Sequence, residues 1–532
     1  MNNTTSDEKE ETPAPIPAPI EESEDHVSLK TWFTVWGSVI GAFIAVLNIM
    51  ITNASLKDIQ GALGATLHEG SFISTAYLAA EVVVIPLTAW LVQVFGLRRF
   101  VLSASGIFLA ATLCCATATS LEMMLVFRTI AGFAGGTFIP LSFTVILTLL
   151  PPSKQPLGIA MFSLTATQAP SIGPTLGGFL TENYGWESIF YLQIIPTTLM
   201  IAILSWGLSK SSSKLAMLKE ADWLGIISLS IALGALIIIL EEGNRLDWLE
   251  SQSLIYATLI SILCFFVFLY RQLWGPAPFI NVRLLKRWNF GLANFIGMVL
   301  GLGLYGTIFI TPLYLAQIQD YNAWQIGVTM MWFGFPQLIA VPLIVRLMKT
   351  VDPRHLIAFG CLVFSASCLI NADLNAESAY DQLLLANFIR GIGQPFLSIP
   401  LAVMATVGIE QAQAGSASGL YNLTRNLGGA IGIAFLATFL SIRQQFHSSH
   451  IVENISLYKQ STLERLQGLQ GHFTQLGSDS ALAQEQALRV IDSLARRDSY
   501  VMAYNDSFYL VGLAFIVAAC VTYMLKPPQA PA

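Results

Sequence analysis

The sequence predicts an all-α membrane protein with fourteen spans, built as two six-helix bundles with two further helices inserted between them. Three observations carry that prediction. Hydrophobic residues fill 54% of the 532 positions and charged residues only 11%, well under the roughly 25% charged residues of an ordinary soluble domain. The apolar residues fall in about fourteen long stretches, each near the ~20 residues that a bilayer crossing requires. A segment of the first half also lines up without gaps on a segment of the second.

Residues 1–30 read as an acidic tail. Positions 1–27 hold eight acids against Lys9 alone, together with the proline-punctuated run P-A-P-I-P-A-P, a composition that predicts disorder. This tail accounts for the formal net charge of −6. The remainder is near neutral, so nucleic acid is not an expected partner. No basic region precedes the first apolar run, and a cleaved signal peptide is not expected.

The first bundle is expected over 31–208, with spans near 31–54, 71–95, 100–119, 122–149, 157–180 and 187–208. The inserted pair, near 223–241 and 252–270, lies in a segment from 209 to 288. That segment ends in an amphipathic stretch, Gly275 to Trp288, expected at the membrane surface. The second bundle is expected over 289–525, with spans near 289–314, 325–348, 355–372, 382–407, 415–440 and 505–525, before a short tail at 526–532. It contains a polar loop at 441–504 in which Asp479 to Arg497 reads as helix; His447 and His450 there read as a solvated face.

An even number of spans puts both termini on one side. Alternate connections carry Arg98, Arg99, Lys154, Lys210, Lys214, Lys219, Arg271, Arg283, Lys286, Arg287, Arg346, Lys349, Arg354 and Lys526. The opposite short connections carry only Lys57 and Arg245. By the positive-inside rule both termini are cytoplasmic, and a long loop such as 441–504 is exempt from the rule.

The internal match runs from Pro86–Arg98 to Pro342–Arg354, where Pro, Leu, Leu and the closing Arg coincide. Phe162–Thr165 resembles Tyr421–Thr424, Gly173 falls on Gly432, and Arg128 matches Arg390 roughly. Two parallel repeats follow, with 223–270 inserted between them.

Ala169 to Gly178, A-P-S-I-G-P-T-L-G-G, is the sharpest local signal. Ala169, Gly173 and Gly177 are four apart and line one helix face with almost no side chain, so a second helix can approach closely in lipid. Pro170 and Pro174 each remove a backbone donor and permit a bend. Such a helix suits a rocking joint, although tight packing with incidental prolines explains the same spacing.

Several chemistries are not indicated. The six cysteines lie in apolar stretches and read as small hydrophobes rather than a disulfide framework or metal cluster. No G-x-x-x-x-G-K-[ST] loop occurs, so ATP hydrolysis is not expected. No catalytic constellation, cofactor site or metal site is expected, and the chain does not read as an enzyme.

At these residues the chain resembles the major facilitator superfamily, and more narrowly its fourteen-helix drug:proton antiporters of the EmrB/QacA type. Ala169 to Gly178, with Pro170, Gly173, Pro174, Gly177 and Gly178, is similar to the antiporter motif of the fifth helix. Leu125 to Gly136 resembles the fourth-helix arginine motif, with its arginine at Arg128. Val46 to Leu56 resembles the first-helix motif, and Ala89 to Arg99, with Gly96, Arg98 and Arg99, the loop between the second and third helices. The family commonly has an acid where this chain has Asn48, and Gly and Asp where it has Ala89 and Gln93. The resemblance implies a bacterial inner-membrane pump that hands substrate to a periplasmic adaptor and an outer-membrane channel, with 441–504 as a docking surface for the adaptor or a cap on the pump's own mouth.

An ionisable group deep in a span costs about 2.5–3.5 kcal/mol on insertion scales and is functional by default. Glu81 is the one acid so placed; the arginines are Arg128, Arg390 and Arg425. A carboxyl group that alternates between an apolar setting and the neighbourhood of a guanidinium changes its proton affinity. Glu81 is therefore the expected proton carrier, with Arg128 as modulating charge and Asn48 as polar neighbour, against a static buried pair. Arg390 and Arg425, with the polar positions Thr52, Gln394 and Asn422, are the expected substrate contacts. Three arginines against one carboxylate predict a net positive cavity that favours anionic or zwitterionic amphiphiles. Trp90, Phe133, Phe138, Tyr305, Phe309, Tyr314, Trp332 and Tyr421 are candidate apolar walls. The expected activity is export of amphipathic small molecules or drugs driven by proton entry. A dedicated exporter of a metabolite such as a siderophore or fatty acid, and a non-transporting sensor or scaffold, stay open.

Overall fold

A computed structural model describes residues 27–209, 213–275, 278–410, 413–456 and 458–526. The acidic tail to residue 26, Lys210 and the last six residues lie outside this set. Among the described residues every regular element is a helix.

Local chemistry sets the helix ends. Ser28 caps α1 (Leu29–Ala54) by accepting from the Thr31 N–H. Gly64, at φ +63°, ends the short α2 (Leu56–Leu63). A reciprocal pair, in which the Glu69 N–H donates to Thr66 Oγ1 and the Thr66 N–H to the Glu69 carboxylate, starts α3 (Leu67–Phe95). Gly96, at φ +82°, turns the chain directly into α4 (Leu97–Ala116). The span expected at 122–149 is two helices end to end, α5 (Leu121–Gly135) and α6 (Phe138–Leu149). Pro140 has no N–H to offer the Gly136 carbonyl, which loosens the ladder at this joint.

α7 (Gln155–Tyr184) runs unbroken through Pro170 and Pro174. Then come α8 (Ser188–Tyr191), α9 (Ile194–Gly207), α10 (Trp223–Glu242) and α11 (Gln252–Trp274). The stretch 275–288 holds a 3₁₀ turn, Val282–Lys286; residues 276 and 277 of it are not described. The rest of the chain forms α12 (Trp288–Ile318), α13 (Ala323–Leu347), α14 (Pro353–Ile370), α15 (Tyr380–Thr406), α16 (Ala414–Asn454), α17 (Gln460–Gln475) and α18 (Ser480–Thr522).

Among the described residues, thirteen helical segments are long and apolar enough to cross a bilayer, with α5–α6 and α8–α9 counted as one each. α7 is the fourteenth: its 30 residues span easily, and its Gly, Pro, Ser, Thr and Gln lower its hydropathy. The chain is a multi-pass membrane protein.

Pairings in the first half recur in the second. α1 packs on α7 and α9 as α12 packs on α16 and α18; α5 packs on α3 and α4 as α15 packs on α13 and α14. Matching residues make the matching contacts. A Cβ on Gly173 of α7 would meet Met50 of α1 at 2.5 Å, and one on Gly432 of α16 would meet Leu302 of α12 at 2.7 Å. Gly132 on α5 lies against the Tyr77 backbone, as Gly391 on α15 lies against the Phe333 backbone. Across the halves, α7 packs along α13 and α15, and α16 along α3 and α6.

The polar stretch 441–504 differs from the expected loop. α16 continues to Asn454 and α18 begins at Ser480, so a helical extension with α17 packed on α18 replaces it. Residues 480–504 contain no Gly or Pro and carry the i,i+4 pairs Glu485–Arg489 and Asp492–Arg496, so nothing stops the helix from joining the last span. This extension marks one end of the bundle; both described ends of the chain lie at the other, the terminal end. His447 is buried there on α16, with Nε2 2.6 Å from Asp506 Oδ2 of α18. The solvated-face reading holds for His450 alone, because continuing α16 turns His447 toward α18.

Candidate transport site

Glu81 sits near the middle of the span from Glu69 to Phe95 and is 3% exposed. The small face of α5 brings it there. A Cβ on Gly136 would come within 2.7 Å of Glu81 Cα, and Gly132 and Gly135 let α5 lie on Tyr77, one turn away. Glu81 Oε2 has no hydrogen-bond partner, and among the described residues no ion pair joins Glu81 to an arginine.

Arg128, fully buried on α5, is held by other groups. Its Nη1 donates to Asn48 Oδ1 at 2.5 Å and its Nε to the Ile73 carbonyl at 3.2 Å. Its guanidinium lies over the Tyr77 ring, 4.4 Å from the centroid. Asn48 thus does by hydrogen bonding what an acid at this place would do by charge. The structure brings Asn48, Arg128 and Glu81 into one neighbourhood, with the arginine set over Tyr77, one turn from Glu81 on α3, and not ion-paired to the carboxyl group.

Glu81 faces a cavity of about 300 Å³. Its lining comes from Met50 and Asn53 on α1, Ser71, Ser74 and Leu78 on α3, Ile237, Leu240 and Glu241 on α10, Tyr305 and Phe309 on α12, and Asn426 and Ile433 on α16. A largely apolar hollow with a few converging polar groups is the usual form of a small-molecule site. It lies between the two halves, in the part of the bundle toward the extension. A larger hollow of about 530 Å³, lined by Trp90, Gln93, Asn281, Arg283 and Ser416 among others, opens at the terminal end among linker residues and lacks a membrane-embedded acid.

The other expected contacts lie outside the Glu81 cavity. Arg390 is fully buried, bonded to Asn387 Oδ1 and set over Phe333 at 5.0 Å, with Nε and Nη1 unpartnered. Arg425 turns over Phe162 of α7, 5.6 Å from the ring centroid. Thr52 Oγ1 donates to the Asn48 carbonyl one turn back and Asn422 to that of Ser418. Gln394 is buried, with Oε1 unpartnered. The described lining therefore holds two carboxylates, Glu81 and Glu241, and no basic side chain. No arginine lines the cavity as counting them predicted, because each guanidinium is set over an aromatic ring within the packed helices; Arg128 and Arg425 act on the lining residues Glu81 and Tyr305 from behind them.

Among the expected aromatic walls, Tyr305 and Phe309 line the cavity. Tyr314 donates to the Asn375 and Ser378 carbonyls, Tyr421 stacks on Phe143, Trp332 donates to the Tyr380 hydroxyl, and Trp90 packs edge-on to Trp223. Phe133 is exposed and Phe138 buried beside Phe108. Glu241, Asn53 and Asn426 were not singled out by sequence. Glu241 falls at the end of its span, and its place on the cavity depends on where α10 docks.

The conformational motifs have clear contacts. Gly173 and Gly177 of α7 pack against Met50, Ile51 and Ala54 of α1, and Gly178 is buried. On its other face, Gln168 donates to the Gly334 carbonyl of α13 at 2.8 Å, and Thr175 lies against Gly327. Arg98 donates to the Ser205 carbonyl of α9 at 2.7 Å, and Arg99 to Ser213 Oγ at 3.2 Å.

Two pseudo-equivalent sets of membrane helices enclosing a small-molecule cavity at their boundary define a membrane transport protein rather than an enzyme. Residues 38–433 match the family model for the Major Facilitator Superfamily, and the chain belongs to that family. It is 30% identical over 505 residues to the colistin resistance protein EmrB of Acinetobacter baumannii, covering 95% of this chain and 98% of that one. It is 27% identical over 508 residues to the fatty acid resistance protein FarB of Neisseria gonorrhoeae, again covering 95% and 98%. It is 27% identical over 494 residues to the multidrug export protein EmrB of Escherichia coli K12, covering 92% and 94%. Its fold is shared with the human organic anion transporter MFSD10, with a TM-score of 0.55 at 13% identity, over 91% of this chain and 99% of that one.

Proposed function

We propose that the chain exports amphipathic small molecules in exchange for protons, by alternating access between two six-helix bundles. The observation that carries this reading is Glu81: a buried carboxyl group with an unpartnered oxygen, facing a cavity between the bundles. Such a group binds a proton when the cavity is closed and apolar, and yields it when water or a cationic group enters. Arg128, set over Tyr77 one turn from Glu81, biases that equilibrium without quenching it. The names of the relatives, multidrug export and resistance proteins, support export of small molecules.

We infer from the basic connections at the terminal end that both termini are cytoplasmic and that the membrane is the bacterial inner membrane. The extension of α16, α17 and α18 then projects into the periplasm, where it serves as the docking surface for an adaptor leading to an outer-membrane channel.

Proteoliposomes with an acidic lumen test the coupling. Wild-type protein is expected to accumulate a fluorescent amphiphile against its gradient and to acidify the outer medium as it does so. Glu81→Gln is expected to abolish accumulation driven by the pH gradient while the purified variant still binds the amphiphile. Full gradient-driven accumulation by Glu81→Gln ends the coupling reading.

A further inference from the structure

The geometry points to α10 as a working wall of the transport cavity, and to Glu241 as the residue that makes that cavity select amphipathic organic cations. The inference rests on the transport reading above for the purpose of the cavity, and on α10 alone for its selectivity.

α10 belongs to the pair of helices that interrupts the internal repeat, and such an insertion reads as an accessory. Its last turns are instead wedged between the two halves, where α3 and α16 part. Ile237, Leu240 and Glu241 fill that gap and face the cavity. Two anchors fix the register. On one side Ser71 of α3 donates to Glu242 Oε1 at 3.4 Å. On the other, Trp248 Nε1 donates to Thr438 Oγ1 of α16 at 3.1 Å. Between them, Asp247 and Trp248 both adopt φ +50°, a region that residues with a Cβ seldom enter. The Trp248 N–H closes this turn onto the Gly243 carbonyl at 2.8 Å.

The anchored turn distinguishes two adjacent acids. Glu242 is buried and neutralised by Arg245, with Nη2 2.6 Å from Oε2. Glu241 makes no hydrogen bond or ion pair with the described residues and stands at the cavity. Deeper in the same lining, Glu81 holds its unpartnered Oε2. No lysine, arginine or histidine is in the described lining; Arg425, next in sequence to the lining residue Asn426, is turned over Phe162. Leu78, Tyr305, Phe309 and Ile433 supply an apolar body between the two carboxylates. A ligand that satisfies this arrangement has a bulky apolar frame and a positive charge, with Glu241 meeting it at the rim.

Tetraphenylphosphonium and tetraphenylborate, alike in shape and opposite in charge, test the assignment by equilibrium binding to the purified full chain. Wild-type protein is expected to bind the phosphonium more tightly. Glu241→Gln should weaken phosphonium binding by about five- to tenfold, the scale of one partly screened charge pair, and strengthen borate binding. Glu241→Lys should invert the preference, and Glu241→Asp, which keeps the charge, should retain it. Leu240→Trp should weaken both ions by narrowing the cavity. A wild-type preference for the borate, or a phosphonium-to-borate ratio unchanged in Glu241→Gln, overturns the selectivity; unaltered binding in Leu240→Trp overturns α10 as a wall. These outcomes are independent of the Glu81→Gln transport result, which alone decides proton coupling.

Discussion

Arg128 and Arg390 show how two membrane-buried guanidinium groups are accommodated without a carboxylate. Each carries an insertion cost of about 2.5–3.5 kcal/mol, offset by a side-chain amide acceptor, for Arg128 also by a backbone carbonyl, and by an aromatic face contributing about 0.5–2 kcal/mol. Arg128 depends on Asn48 Oδ1 and the Ile73 carbonyl. Asn48→Leu should therefore lower stability by about 1–3 kcal/mol, the scale of a buried donor left unmade, read as a drop in thermal unfolding temperature in detergent. Asn48→Asp should retain the wild-type value, because a carboxylate accepts the same bond; equal losses in both variants would show that Asn48 acts by packing alone. Glu81, Asn48 and Arg128 were legible in the sequence because a polar group in an apolar run is costly wherever the helices go. The burial of Arg390 and Arg425 against rings was not, since charge counting says nothing about which way a side chain turns.

At the scale of the helix, α7 carries the contact between the halves. Its glycine face lies on α1 and its polar face on α13, so it touches both bundles along its length. Gly173→Leu forces a side chain into Met50 and should cost about 1–3 kcal/mol and abolish transport. Gly106→Ala on α4, where no atom lies within 4 Å of the added Cβ, should be neutral or stabilising by up to about 1 kcal/mol. If the two variants behave alike, the small face of α7 has no special role. The periodicity of Ala169, Gly173 and Gly177 made this face readable, but not the partner on each side.

A second helix start gives a pH dependence. Asp352 caps α14 through the Arg354 N–H and pairs with the Arg354 guanidinium at 2.7 Å, and these bonds hold its carboxyl below the usual carboxylate range. Its charged form is thus favoured in the folded chain. The contribution to stability is present above the ordinary aspartate value and is lost as pH falls through the depressed one. Asp352→Asn keeps the cap and removes the charge, so wild type should be the more stable near neutrality and the two should converge in strong acid. A constant gap in unfolding temperature across that range would remove the ion pair from the account.

At the scale of the whole molecule, the repeat was visible in Pro86–Arg98 and Pro342–Arg354 because both mark the same turn between a descending and a returning helix. The inserted helices were visible as spans, but the docking of α10 against α3 and α16, with α11 packed on α10, was not, since neither carries a pattern that names its neighbour. On its terminal side the cavity at Glu81 is closed off by a contact between the halves, where a Cβ on Gly415 of α16 would lie 3.0 Å from Ala89 Cβ of α3. Under the alternating access proposed above, this closed contact separates in every cycle to expose the cavity to the terminal side. An Ala89→Cys, Gly415→Cys pair sits close to the spacing of a disulfide and should cross-link under mild oxidation, arrest transport and recover it with reductant, while each single variant stays active. Substrate binding at the Glu81 cavity should survive the cross-link, because the cavity lies on the other side of the constriction. Undiminished transport by the fully cross-linked chain would mean that the halves do not part at α3 and α16, and that the two-bundle account of how this protein moves is incorrect.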